Sequence, residues 1–237
     1  MEILMLAAAV MAFAPTLILM YAILRKYTYP AVEQPFFSDP TFFILFTIAL
    51  VAGTILFAVY TWVWVSILYA ILFAVVEILV IVVVFNLKRF RGKSDTVFYG
   101  YGFGLGVGCT FAFGFIYYLA KSASGMDSDL TVVDYILMFV YGLTYIMTFA
   151  SVGTTIGEGI ARHRVMEFAM QAMFINVAIT LIMTASFWSS GDILVWVCAL
   201  AALLMSAGYF YRTMVIKLSG VVRDVLRMEG KKREVPK

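Results

Sequence analysis

The chain has 237 residues, of which 64% are hydrophobic and only 13% charged. A soluble domain of this size carries far more charge on its surface, so the composition excludes one and specifies an all-α, polytopic membrane protein. The net charge of +3 is unevenly spread, and its distribution carries the information.

Seven apolar segments can be read, at approximately 2–24, 41–60, 62–87, 96–120, 131–157, 166–188 and 192–216. Each has about 20 residues or more, enough to cross ~30 Å of hydrocarbon. The first contains Pro15, where a kink is expected. It lacks a basic leading region and is followed by Arg25 and Lys26, so it is expected to remain as a span and not to be cleaved as a signal. The loop Lys26–Pro40 holds Pro30, Pro35 and Pro40 and is expected to be irregular. Segments two and three are nearly continuous, with a break expected near Tyr60–Trp64, where aromatic residues gather as they do at a membrane interface.

The third segment carries Glu77 inside FAVVEILVIVVV. A carboxylate at that depth is costly. It must face protein or a water-filled cavity, hydrogen-bonded or protonated. Two roles compete: a functional acid, or a group that pins two helices together.

The fourth segment reads YGYGFGLGVGCTFAFG over Tyr99–Gly114. At ~100° per residue, Gly100, Gly104 and Gly108 form one stripe, with Gly102 and Gly106 on nearly the opposite side. Glycine at this spacing lets helices approach until their backbones almost touch. A central helix gripped on two sides is expected.

The fifth segment ends with Ser151, Thr154, Thr155 and Glu158, with Arg162 and Arg164 close behind. An interfacial ion pair suits Glu158. In the sixth, Asn176 and Thr180 share a face and Gln171 lies not far from it. Gln171, Asn176, Thr180 and Glu158 are therefore candidates for a polar network between helices. His163 is the only histidine and lies in a turn. Cys109 and Cys198 both fall within spans. No grouping has the spacing of metal ligands, so no catalytic metal or cofactor is expected.

From Leu218 the chain alternates Val221, Val222, Val225 and Leu226 with Arg223 and Arg227. This reads as an amphipathic helix on the inner leaflet, then a charged disordered end. The expected organisation is a transmembrane domain over 1–217 and a cytoplasmic tail over 218–237.

With the N-terminus outside, the inside segments hold 16 of the 17 Lys and Arg, and only Lys121 lies outside, beside Asp127, Asp129 and Asp134. Six or eight spans would scatter these charges over both sides. The positive-inside rule therefore favours seven spans, N-terminus out and C-terminus in.

A glutamate-bearing span, a basic loop and a glycine-striped span, in that order, resemble the superfamily of PrsW-type and CAAX-type intramembrane proteases, and most closely its Aph scaffold subunits of gamma-secretase. The resembling stretches are MAFAPTLILM (11–20), VEILVIVVVFNLKR (76–89), the Gly100, Gly104 and Gly108 stripe, and GTTIGEGIARHR (153–164). The resemblance implies seven spans with the N-terminus outside and a fourth helix that packs against partner subunits. The protease pattern has paired acids in the third span, a further acid in the fourth and histidines beyond. Here Glu77 stands beside Ile78, the fourth-span position falls near Phe111–Ala112, and the later positions fall near Phe149 and Ile175. A metal hydrolase needs about three protein ligands and an open water position.

The expected function is therefore a non-catalytic integral membrane scaffold or binding protein of the cell membrane, docking other membrane proteins through the glycine-striped helix. A PrsW-type protease using Glu77 is the alternative, and a small transporter or channel the second alternative. The expected partners are membrane lipids and a membrane protein or a second copy of the chain, with no nucleic acid.

Overall fold

The computed structural model describes residues 2–62, 66–124, 130–188, 192–231 and 233–236. Trp64, Asp127 and Asp129 lie outside the described residues. Among the described residues every regular element is helical: α1 (Glu2–Leu24), α2 (Asp39–Trp62), α3 (Ile67–Phe85), α4 (Asp95–Ser124), α5 (Val132–Ala161), α6 (Val165–Trp188), α7 (Asp192–Phe210), a π-helical segment (Tyr211–Lys217) and α8 (Leu218–Met228). Seven helices are long and apolar enough to cross a membrane, the last of them running on from α7 through α8.

Local sequence accounts for the helix boundaries. Ser66 starts α3, its hydroxyl accepting the Tyr69 N–H at 3.2 Å, so α3 begins later than the apolar run suggests. Thr131 and Asp134 form a capping box at the start of α5. At 30 residues each, α4 and α5 are about 45 Å long, and their ends project beyond the hydrocarbon or the helices tilt within it.

The bundle is built around α4 and α5. In each, 72% of the most apolar window is buried, against 17–33% for the other spans. α4 lies along α5 on one side and α2 on the other, with α1 also against it. α6 and α7 pack on α5, and α3 leans chiefly on α6. The outer helices expose large apolar side chains such as Leu6, Ile44, Leu68, Phe174 and Leu204, as lipid requires.

The loops at one end interlock. The Gly92 N–H reaches the Ile160 carbonyl at 3.3 Å. Glu229 accepts the N–H of Ser94 at the start of α4. Arg233 donates to the Pro35 carbonyl at 3.1 Å and its guanidinium sits 4.0 Å over the Phe36 ring. Every described Lys and Arg except Lys121 belongs to this end, which is the clustering read from the sequence as inside.

The C-terminal region differs from the expected tail. No break separates it from the last span; a π-helical segment joins α7 to α8. The apolar face of α8, Leu218, Val221, Val222, Val225 and Leu226, is buried against the protein and not offered to lipid. Tyr209 bonds to Thr155 and Asp224 pairs with Arg162, so about 22 Å of α7–α8 accompanies about 10 Å of α5. α8 therefore turns away from the direction of α5, across the end of the bundle. Beyond it, Glu229 and Arg233 tie down a segment expected to be a free charged end.

Candidate functional site: a buried acid beside a glycine-packed core

Glu77 lies midway along α3 and is 4% exposed. Asn176 of α6 meets it, the amide Nδ2 donating to Glu77 Oε2 at 2.8 Å and to the Ala74 carbonyl at 3.2 Å. One side-chain amide thus holds both a carboxyl and a backbone carbonyl one turn before it. Both partners are buried, so each satisfies a group that would be costly to leave alone in an apolar setting.

Tyr60, Tyr69 and Tyr145 lie within electrostatic reach of Glu77. They belong to an aromatic cluster. Tyr145 stacks on Phe115 with centroids 4.7 Å apart, and Tyr60 packs against Phe115 at 5.4 Å and Phe73 at 5.1 Å. The acid therefore has one amide at hydrogen-bonding distance and three tyrosines within electrostatic reach. Among the described residues, no three His, Cys, Asp or Glu side chains come together.

The other candidates for the polar network do not join this pair. Glu158 lies at the end of α5 and faces Arg162, Oε1 to Nε 2.8 Å, while Arg162 Nη2 reaches Asp224 Oδ2 at 3.0 Å. This acid–base–acid chain links α5 to α8. The i,i+4 spacing along α5 brings Glu158 to Arg162, far from the crossing of α3 and α6. Gln171 is exposed, and Thr180 contributes its carbonyl to the Thr184 hydroxyl at 2.8 Å. Asn176 alone of the group points at Glu77, because it is the buried residue on the face that α6 turns toward α3.

The glycines of α4 lie between helices of this same chain. A Cβ on Gly100 would fall 2.2 Å from the Gly153 carbonyl oxygen of α5. One on Gly104 would fall 2.1 Å from the Phe149 oxygen, and one on Gly108 2.9 Å from the Ile146 Cα. On the other side, a Cβ on Gly102 would strike the Phe42 ring at 2.5 Å, and one on Gly106 the Ala49 Cβ at 2.6 Å. The stripe expected to receive a partner protein is thus filled by α5, and the opposed face by α2. The reason is geometric: α4 is the central helix, so both faces lacking side chains are spent on internal contacts.

Several residues were not singled out by the sequence. Tyr27, Phe36 and Phe37 of the proline-containing loop are buried and cluster on Phe98 of α4. The signal was the adjacent Phe36-Phe37 pair, out of place in a solvated loop. Burial pushes the Tyr27 hydroxyl up to about 12. Tyr209, just before the π-helical segment and also missed, shares a hydroxyl–hydroxyl bond of 2.6 Å with Thr155, the threonine noted near the end of the fifth segment. At the basic end burial raises the Glu229 carboxyl, but bonds from Lys231 and Ser94 outweigh it and hold the group below its usual range.

Fold and site together define a multi-pass α-helical membrane protein with a buried acid–amide joint. No family model matches the chain, and comparisons with curated proteins and with solved structures gave no match.

Proposed function

We propose that the chain is a non-catalytic scaffold or binding protein of the cell membrane, of the kind implied by its resemblance to the Aph and PrsW superfamily. The observation that carries this is the Glu77–Asn176 pair. The acid at mid-span is met by an amide that also grips the backbone of α3, so its interactions serve to hold two helices together. A rigid α4–α5 core supports the same reading, since a scaffold must keep its shape when loaded. With both glycine faces covered from within, the outer helices are the surface left for a partner.

The competing reading is a PrsW-type protease, and the burial of Glu77 at mid-span is what favours it. Activating water for peptide hydrolysis needs a second group beside the acid, and the side chain bonded to Glu77 here is the Asn176 amide, with tyrosines further off in electrostatic reach. Cross-linking and copurification from native membrane separates the two. The scaffold reading predicts one membrane protein at fixed stoichiometry, retained when Glu77→Gln replaces the wild type. A chain that purifies without a partner, or cleavage of a transmembrane peptide that stops in Glu77→Gln, would overturn it.

A further inference from the structure

The exposed face of α8 and the segment after it form a cleft of ≈ 650 Å³ at the end where the basic loops gather. Arg223, Arg227, Lys231 and Arg233 line it, with Glu234 the only acid among its lining residues. Leu226 and Val235 supply apolar walls. Two of the four cations are already engaged. Lys231 pairs with Glu229 at 2.7 Å, and Arg233 lies over Phe36. Arg223 and Arg227 are exposed and have no acidic or acceptor partner among the described residues, although Asp224 stands beside them and is held by Arg162.

Arg223 and Arg227 are four residues apart on one helix, so their guanidinium groups are neighbours and repel one another. An arrangement that gathers like charges on a buried, rigid platform is stabilised by an anion between them. Paired guanidinium forks match the oxygens of a phosphate group in geometry as well as charge. The location selects the source. α8 follows α7 and the π-helical segment and is held at the end of the bundle by Asp224 on Arg162 and Glu229 on Ser94, which puts the cleft at headgroup depth.

We infer that this cleft binds the phosphate of an anionic lipid headgroup, clasped by Arg223 and Arg227 with Lys231 and Arg233 at its rim. This inference does not rest on the scaffold reading. It needs only that the seven helices span a membrane.

Binding of a fluorescent short-chain phosphoinositide to the full-length detergent-solubilised chain tests it. The double variant Arg223→Gln/Arg227→Gln should weaken binding by about 30-fold. Lys26→Gln/Lys88→Gln removes the same charge from the same end outside the cleft, and should change it less than about threefold. Thermal unfolding without lipid should be the same for all three proteins, because the substituted side chains are exposed. In competition, the soluble inositol phosphate headgroup should displace the probe far less well than the intact lipid. Equal loss in both double variants would overturn the site and leave only a diffuse surface charge. Displacement by the soluble headgroup at the same concentration as the lipid would overturn the lipid as its source.

Discussion

Gly100 and Gly153 exclude a side chain from one another. A Cβ added to either would lie 2.2 Å from the carbonyl oxygen of the other. Gly157 continues the contact along α5, where a Cβ would meet the Thr96 oxygen at 2.7 Å. Lipid tails are as apolar as leucine, so burial from water does not drive these helices together. Close backbone contact does, through many small dispersion terms.

The contact predicts opposite signs for the same substitution at two positions. Gly104→Ala should destabilise the detergent-solubilised protein by about 1–3 kcal/mol, because its methyl group meets backbone that cannot swing aside. Gly208→Ala in α7 meets nothing within 4 Å and should be neutral or stabilising by up to about 1 kcal/mol, from helix propensity alone. Thermal unfolding of the two variants checks this. Equal shifts would remove the special role of the α4–α5 contact.

Gly92 carries a different constraint. Its φ is +70°, and a Cβ there would lie 2.7 Å from His163 Nε2. Gly92→Ala should cost about 1–2 kcal/mol from the left-handed conformation, more if His163 cannot move. The companion variant Gly92→Ala/His163→Ala relieves the contact and leaves the backbone cost. Stability of the double variant between wild type and Gly92→Ala is the expected result; no recovery would place the whole effect in the backbone.

Topology is tested by labelling. We predict the N-terminus outside and the C-terminus inside, from the concentration of basic residues at one end. In a background free of Cys109 and Cys198, Lys121→Cys should react with an impermeant thiol reagent from outside and Lys26→Cys only after permeabilisation. Both wild-type side chains are exposed, so access is not limited by burial. The reverse pattern would invert the protein, and labelling of both from one side would refute the seven-span order.

The bridge from Glu158 through Arg162 to Asp224 should matter unevenly. Asp224 is 51% exposed and Arg162 24%, so the outer pair is screened by solvent and the inner one less so. Asp224→Asn should cost no more than about 0.5 kcal/mol, with an effect that fades in high salt. Arg162→Met leaves Glu158 half-buried without its cation and should cost about 1–3 kcal/mol. Denaturation at low and high ionic strength distinguishes the two.

The helices were largely legible because apolar length is a local property. Each apolar run that reads as a span is a helix, and errors fall where capping overrides hydropathy, as at Ser66, or where a helix runs on into the interface, as at Ser124 and Ala161. Glu77 was legible as a buried acid because it stands alone in an apolar run. That Asn176 would be its partner was not, since the two are 99 residues apart and meet only through the packing of α3 on α6. Glu158 was legible as half of an interfacial ion pair, and it pairs with Arg162, but its place in a network with Asn176 was not, because packing separates the two. α8 shows the same limit from another side. Its sequence declares an apolar face but not what covers it, and the bundle covers it here in place of lipid.

Whether Glu77 is a joint between helices is decided by a double-mutant cycle on Glu77 and Asn176. Asn176→Leu should destabilise the solubilised protein by about 1–3 kcal/mol, since it leaves a buried carboxyl without its donor. Glu77→Gln keeps an oxygen for Asn176 to bond and should cost less. Glu77→Leu/Asn176→Leu should recover part of the loss, giving a coupling of about 0.5–2 kcal/mol. Additive effects with no coupling would show that the two side chains do not hold α3 to α6, and would leave the acid free for another role.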